Sequence, residues 1–382
     1  MIDSSATAPV AQHNNRIALV LQGGGALGAY QAGVFQAMHE NGLAPDWVVG
    51  TSIGAINAAI IAGNEPEQRV ARLRQFWQRI SHSDLLDLQK VADNARQFNS
   101  WLATLESMTR GVKGFFSPRL FNPFAVGMTV APEQASFYDT SELAATLKEL
   151  IDFDYLNAEG GMRLTVNAVK VNCGELVGFD NRRLDIGVEH VMASGALPPG
   201  FPPVCVDGDL YWDGGLYSNT PLETVLDDVP QVDTLCFMVD LWSADGPAPR
   251  TLDEVQTRQK DVMFASRSQR HIDAYVRVHG LQQTIRSLYE QLPADLQSAA
   301  GDEVRSALGC ATTMHIVRLA YGGQDWHMAA KDINFSRGSI EWRWEQGYRD
   351  GLRGIREEGW LAELKTPTSI VVHDILPMTK AV

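Results

Sequence analysis

Three short segments contain the residues whose types and spacing could carry out chemistry, and the first surrounds a serine. Residues 50–54 read GTSIG, a GxSxG pattern. It lies between WVVGTS, an apolar run that predicts a strand, and INAAIIAG, which predicts a helix. A sharp strand-to-helix turn exposes the serine hydroxyl, and Gly50 and Gly54 would let a substrate approach closely. The dipole of the helix favours the negative charge of an acyl-transfer transition state. Ser52 is therefore the candidate nucleophile; the alternative is that it only caps the helix.

The second segment is a glycine loop, GGGALG at residues 23–28, after the apolar run IALVLQ and at the start of a predicted helix. Successive glycines can turn several backbone amides towards one point and so bind an anion. We expect Gly23, Gly24 and Gly25 to form an oxyanion hole, with Gly28 supporting the turn. The spacing also satisfies GxGxxG, so a dinucleotide-binding fold stays open. That fold needs an acidic residue at the end of the next strand, where this chain has GTSIG.

The third segment is Asp213-Gly214-Gly215, which follows a predicted short strand. A carboxylate with an ordinary pKa near 4 is a poor base for a serine hydroxyl, so it must be buried or hydrogen-bonded directly to the nucleophile. Gly214 and Gly215 would let the backbone fold tightly around that contact. The alternative is an Asp-Gly turn without chemistry.

Taken together, GGGxxG, GxSxG and DGG in this order resemble the patatin-like phospholipase family, in its bacterial subset with a C-terminal extension. The resemblance extends through ASGALPPGFPPV before Asp213 and through Asn219-Thr220-Pro221 after it, and covers roughly residues 16 to 242. It implies a serine acyl hydrolase in which Ser52 attacks the acyl carbonyl and Asp213 takes its proton, without a histidine and without a cofactor. Bacterial members commonly have arginine where Leu27 stands, so a cation that would help to bind phosphate headgroups is missing here.

The elements around these segments predict an α/β fold. Strand, glycine loop and helix follow one another twice from Arg16, which is typical of a three-layer αβα core with a mostly parallel central sheet. Further strands are expected in MRLTVNAVKVN, ELVGFD and VCVDGDLYWDGG, and TLCFMVDLW is expected to complete the sheet. We divide the chain into a leader (1–15), an acyl hydrolase core (16–245) and a mainly helical C-terminal extension (246–382). The extension would clamp the core or form a dimer surface, or else build a wall that selects substrates.

One apolar stripe stands out between the second and third segments. Trp101, Leu105, Met108, Val112 and Phe115 recur at alternating steps of four and three residues. The stripe either packs on the body of the protein, or it forms a mobile cap over the substrate or an edge that touches a lipid surface.

Composition narrows the partners. The 382 residues carry 46 acidic and 32 basic side chains, a formal charge of -14, so nucleic acid is not an expected partner. The expected partner is a lipid or other acyl ester. The four cysteines form no CxxC pair, so we expect no metal site and interpret them as buried hydrophobes. The first fifteen residues do not resemble a signal peptide, and the cytoplasm is the expected location.

Two further alternatives stay open. A histidine-assisted hydrolase has Ser, Asp and His in that order along the chain, and five histidines follow Asp213: His271, His279, His315, His327 and His373. The early position of the serine argues against it. The other alternative is a catalytically silent protein that keeps the fold as a binding or scaffold module.

Overall fold

The computed structural model describes residues 16–82, 103–119, 127, 129–229, 232–265, 268–299, 301, 308, 312–323, 330–356 and 370–375. The leader at 1–15, Trp101, Cys310 and His327 lie outside them. The strands are β1 Arg16–Leu21, β2 Trp47–Gly50, β3 Ser117–Pro118, β4 Tyr138–Asp139, β5 Arg163–Lys170, β6 Leu176–Asp180, β7 Val204–Val206, β8 Asp209–Asp213, β9 Thr234–Asp240, β10 Met314–Ala320 and β11 Ile370–Ile375. The helices are α1 Ala29–Glu40, α2 Ile53–Ala62, α3 Arg69–Arg79, α4 (103–110), α5 Ser141–Leu150, α6 Phe153–Asn157, α7 Val188–Ser194, α8 Leu222–Leu226, α9 Leu252–Phe264, α10 Ser268–Glu290, α11 Ala294–Ala299 and α12 Arg337–Arg356.

A nine-stranded mixed sheet forms the centre of the fold, in the order β11-β10-β9-β1-β2-β5-β8-β7, with β6 also paired to β5. The strands from β11 to β5 run parallel, whereas β6, β7 and β8 are added antiparallel. The predicted mostly parallel α/β architecture is therefore confirmed. Parallel strands are usually covered on both faces, which explains the continuous apolar runs in the sequence.

Alternate residues of β1 enter two separate cores. Leu19 and Leu21 pack with α1, α2, α3 and α12 on one face, while Ala18 and Val20 pack with α8 and part of α10 on the other. This alternation follows from the two-residue repeat of a strand. The sheet and its two helical faces are the three predicted layers.

The strand register brings the three glycine-containing segments to one level. Leu21 pairs with Gly50 across β1 and β2, and Gly50 pairs with Val166 across β2 and β5. Asp213 pairs with Ala168, two residues further along β5. Gly23 lies two residues after Leu21, and Ser52 lies two residues after Gly50. All three segments therefore reach the same edge of the sheet. Residues distant in the chain thereby form one site.

The C-terminal region corrects the expectation that the strand at 234–242 completes the sheet. β10 pairs in parallel with β9, and β11 pairs with β10. The apolar run TMHIVRLAY at 313–321 predicts a strand, but its sequence does not indicate pairing with β9, and no pattern in the sequence predicted β11. Residues beyond 245 therefore extend the central sheet as well as contributing helices.

Helix α12 of this region packs directly on α1 through two glycines. A Cβ on Gly347 would lie 1.9 Å from the Tyr30 carbonyl oxygen, and one on Gly33 would lie 1.9 Å from the Trp344 carbonyl oxygen. Such contacts require glycine, since no larger residue fits between backbones this close. Tyr30 also donates a hydrogen bond of 3.0 Å to Asp350. The C-terminal region is thus built into the core.

The apolar stripe divides into two parts. Val112 and Phe115 are buried in the core, whereas Leu105 and Met108 on α4 are largely exposed. The first pair confirms packing on the body of the protein. Two cysteines also depart from expectation, because Cys173 and Cys205 are exposed and only Cys236, among the described cysteines, is buried.

Candidate active site

Ser52 occupies a strained turn between β2 and α2. Its backbone has φ 57° and ψ −126°, a region that residues other than glycine rarely adopt. Its amide donates to both the carbonyl oxygen and the Oγ of Ser194, each at 3.1 Å. Ser194 is itself fixed, since its hydroxyl donates to the Asn167 carbonyl at 2.7 Å. The surrounding structure therefore holds the serine in a backbone conformation that is unfavourable for a residue with a side chain.

The glycines on either side of Ser52 allow the turn to pack closely. A Cβ on Gly50 would lie 2.4 Å from the Gly54 carbonyl oxygen, and one on Gly54 would lie 2.3 Å from the Leu21 carbonyl oxygen. Both positions exclude a side chain. The GxSxG pattern thus reflects the close approach of α2 to β1 and β2.

Asp213 lies beside Ser52 at the end of β8. Its carboxylate accepts a hydrogen bond from the Ser52 hydroxyl and another, of 2.7 Å, from the Gly215 amide. The side chain is buried, and this burial raises the pKa of the carboxyl to about 7, although both hydrogen bonds oppose the shift. An aspartate with this pKa is matched to taking a proton near neutral pH.

Gly214 and Gly215 let the chain turn around this contact. A Cβ on Gly214 would lie 2.3 Å from the Asn167 carbonyl oxygen, and one on Gly215 would lie 3.0 Å from Oδ1 of Asp213. A side chain at either position would therefore collide with its neighbours, so the chain needs glycine at both positions beside the carboxylate.

The glycine loop faces Ser52 across the site. A Cβ on Gly23 would lie 3.0 Å from the Ser52 Cβ, and one on Gly28 would lie 2.7 Å from Cγ1 of Ile53. Within the described residues, neither the Gly24 nor the Gly25 amide has a hydrogen-bond acceptor. The Gly23 amide differs, because it donates to the Asn219 carbonyl at 3.0 Å. Gly23 is thus removed from the predicted amide donors of the oxyanion hole.

A cavity of about 390 Å³ opens onto Ser52, Asp213 and the glycine loop. Its wall is mainly apolar and includes the contacting rings of Phe115, Phe116, Tyr138 and Phe201. Met108 of α4 also lines it. Such side chains would provide an apolar pocket for an acyl chain.

Comparison with known proteins identifies the family of this chain. The sequence model described as patatin-like phospholipase matches residues 19–226, more than half of the chain. The chain belongs to the patatin-like phospholipase family. A second model, described as patatin phospholipase, matches residues 262–367.

Individual relatives share only part of their length with this patatin-like chain. Triacylglycerol lipase ptl3 of Schizosaccharomyces pombe is 31% identical over 160 residues, which are 42% of this chain and 27% of that protein. Human patatin-like phospholipase domain-containing protein 6 is 28% identical over 213 residues, 55% of this chain and 12% of that protein. The chain thus spans about a quarter or less of these curated relatives. VipD from Legionella pneumophila aligns with 87% of this chain and 67% of its own, at 14% identity and a TM-score of 0.33, which is too low to bear on function.

Three residues around the patatin-like site were not assigned a role from the sequence. Ser194 holds the Ser52 amide, while Asn219 and Trp242 contact the glycine loop. Ser194 and Asn219 lie within the segments that carry the family resemblance, which was a signal for the neighbourhood but not for the contact. Trp242 follows β9, and nothing in its sequence context indicates that it reaches Gly23.

The histidines after Asp213 lie away from the site where the structure describes them. His315 and His373 contact each other on β10 and β11, with 3.2 Å between their ring nitrogens. Neither of these nor His279 lines the cavity. The side chain of His271, like His327, is outside the described part of the chain.

Among the described residues there is neither a candidate metal site nor a helix that could span a membrane. No cluster of three or more histidine, cysteine, aspartate or glutamate side chains there could hold a metal ion. No helix among them has both the length and the apolar character needed to cross a bilayer.

Proposed function

We propose that this chain hydrolyses acyl esters of lipids through a Ser52–Asp213 dyad and an acyl-enzyme intermediate. The Ser52 oxygen attacks the acyl carbonyl while Asp213 accepts its proton. The amides of Gly24 and Gly25 bind the resulting oxyanion. When the tetrahedral intermediate collapses, Asp213 returns the proton to the departing alcohol. It then takes a proton from a water molecule whose oxygen attacks the acyl-enzyme, and it passes that proton to the Ser52 oxygen as the fatty acid leaves.

The observation that carries this proposal is the hydrogen bond between the Ser52 hydroxyl and the buried Asp213 carboxylate at the wall of an apolar cavity. A serine hydroxyl is a weak nucleophile until a neighbouring base removes its proton. Here burial raises the pKa of that base to about 7, so a large fraction is ionised at neutral pH while it keeps enough basicity to act. The start of α2 directly behind Ser52 adds a favourable dipole.

The cavity favours a substrate with an apolar acyl chain. Phospholipids, lysophospholipids and related acyl esters have such chains, and the names of ptl3 and of the human relative refer to a lipase and a phospholipase. Leu27 is uncharged and fully buried, so this position supplies no cation that could bind a phosphate headgroup. Met108 is half exposed and lines the cavity, a position from which α4 would contact a lipid surface.

The experiment is a hydrolysis panel of p-nitrophenyl esters from short to long acyl chains, with phospholipids and lysophospholipids beside it. We expect turnover by the wild type and a loss of several orders of magnitude in both Ser52→Ala and Asp213→Asn. Ser81→Ala is the matched control, because its hydroxyl donates to the Gln78 carbonyl away from the cavity. If the wild type hydrolyses none of the esters, the catalytically silent scaffold would be favoured. A Ser52→Ala variant as active as the control would refute the nucleophile.

A further inference from the structure

The carbonyl group of Gly23 accepts two hydrogen bonds from side chains outside the glycine loop. The indole Nε1 of Trp242 donates to it at 2.9 Å, and the amide Nδ2 of Asn219 donates at 3.1 Å. Both donors are largely buried. Because the Gly23 amide in turn donates to the Asn219 carbonyl, this residue is held on both sides.

The carbonyl of Gly23 and the amide of Gly24 belong to the same peptide group. In a planar trans peptide, the C=O and the following N–H point in opposite directions. Holding the carbonyl towards Trp242 and Asn219 therefore fixes the direction of the Gly24 N–H, on the opposite side. Gly24 lines the cavity, and its amide has no acceptor among the described residues.

This peptide group has little else to fix it. Glycines stand on both sides, so no Cβ hinders its rotation. A rotation would turn the Gly24 amide away and replace it with a carbonyl oxygen, which would repel an oxyanion. The two side-chain donors oppose that rotation directly, since a turned peptide would leave the buried Trp242 indole without its acceptor and would cost Asn219 one of its two hydrogen bonds.

The two donors are themselves held in place. The ring of Trp242 packs on Phe264 with 5.1 Å between centroids, and its backbone amide donates to Oε1 of Gln22 at 3.0 Å. Asn219 also donates to the Phe264 carbonyl at 3.2 Å. Trp242 lies beyond residues 19–226, which the family model matches, and Phe264 lies within the C-terminal region. Residues from both parts of the chain thus support one peptide group.

We propose that Trp242 and Asn219 are positioning residues that aim the Gly24 amide at the oxyanion. The inference rests on the proposed function, in which Gly24 is an oxyanion donor. Neither side chain needs to touch the substrate for this role. Their contribution appears when negative charge develops on the substrate oxygen, because only then does the Gly24 amide form its strong hydrogen bond.

Trp242→Phe tests the proposal, because it removes one N–H donor and keeps an aromatic ring against Phe264. We expect kcat for a p-nitrophenyl ester to fall about tenfold, equivalent to roughly 1.4 kcal/mol, with KM within about twofold of the wild type. The affinity for a trifluoromethyl ketone, whose adduct with serine carries an oxyanion, should fall by the same factor. The affinity for the corresponding alcohol, which forms no oxyanion, should stay unchanged.

Trp47→Phe is the matched control. It removes an equally buried indole donor, which bonds Thr165 at 2.9 Å on the other face of the sheet. We expect wild-type kcat and ketone affinity from it, whatever its loss in melting temperature. If Trp242→Phe does not fold, Asn219→Ala removes the other donor without placing a charge near the oxyanion, and the same losses are expected.

Three results would overturn the inference. The first is a kcat for the folded variant within twofold of the wild type. The second is a rise in KM that accounts for the whole loss of activity. The third is a loss of ketone affinity shared by the alcohol. If the wild type itself neither hydrolyses the ester nor binds the ketone, the proposed function fails and this inference falls with it.

Discussion

Replacing Asp213 with asparagine should make the protein more stable at alkaline pH while it abolishes the proposed activity. In the folded state, burial raises the pKa of this carboxyl from 3.8 to about 7. The folded state therefore binds the proton more tightly than the unfolded state does. Below pH 4 both states are protonated and the shift has no effect on stability. As the pH rises towards 7, ionisation increasingly favours the unfolded chain, and above 7 the full cost is reached.

The size of this effect follows from the shift. About three pKa units at 1.36 kcal/mol each give a cost of roughly 4 kcal/mol above pH 7. Part of it is already present at pH 5, so the growth between pH 5 and pH 8 is roughly 3 kcal/mol. Asparagine carries no proton to lose and escapes this cost. Its weaker hydrogen bonds to Ser52 and Gly215 add an offset of about 1 kcal/mol that does not depend on pH.

Urea denaturation of both proteins at several values between pH 5 and pH 8 measures the difference. We expect the free energy of unfolding of Asp213→Asn, relative to that of the wild type, to increase steadily from pH 5 to pH 8. Asp139→Asn is the control, because hydrogen bonds from Ser141 lower the pKa of Asp139 and its ionisation is complete below pH 5. Parallel curves for Asp213→Asn and the wild type would show that the carboxyl ionises normally, and would refute a base with a raised pKa.

Four further predictions follow from the same geometry. The kcat/KM of ester hydrolysis should rise with pH through an apparent pKa near 7, because only ionised Asp213 can accept the proton; a flat profile between pH 5 and pH 9 would contradict this. Thermal melts should show Ser52→Gly to be more stable than Ser52→Ala by about 1 kcal/mol, since glycine adopts φ 57° without strain, and the reverse order would count against a strained turn. Gly347→Ala should lower the unfolding free energy by about 3 kcal/mol and should clearly lower the melting temperature. Gly280→Ala is the control, because its added Cβ meets no atom within 4 Å and should not lower the melting temperature. Equal effects of the two substitutions would argue against the close packing of α12 on α1. Single replacements of the five histidines that follow Asp213 should leave kcat/KM within about tenfold of the wild type. These histidines are His271, His279, His315, His327 and His373. A loss of several orders of magnitude at one of them would instead support a histidine-assisted hydrolase.

The parts of the fold that depend on local patterns were predictable. Apolar runs bounded by glycine located β1 and β2, and Asp207-Gly208 adopts the positive φ angles of a tight hairpin turn between β7 and β8. The candidate site was predictable because glycine is required wherever two backbones nearly touch, and those positions form recognisable motifs around Ser52 and Asp213.

The parts that depend on distant contacts were not predictable. Strand β11 is a short apolar run like many others, and only its pairing with β10 places it in the sheet. The Gly23 amide belongs to a triple-glycine turn, and nothing local shows that the Asn219 carbonyl occupies it. The contact of Trp242 with Gly23 spans 219 residues of chain. Such interactions are set by the tertiary fold, which a single sequence does not display.

Labelling with a fluorophosphonate probe, followed by peptide mass spectrometry, tests the nucleophile and its base most directly. We predict one adduct per folded chain, located on Ser52, with labelling absent from Ser52→Ala and slowed by orders of magnitude in Asp213→Asn. An adduct on another residue would contradict the account. So would no adduct at a concentration where a control hydrolase reacts fully, or labelling of Asp213→Asn at the wild-type rate.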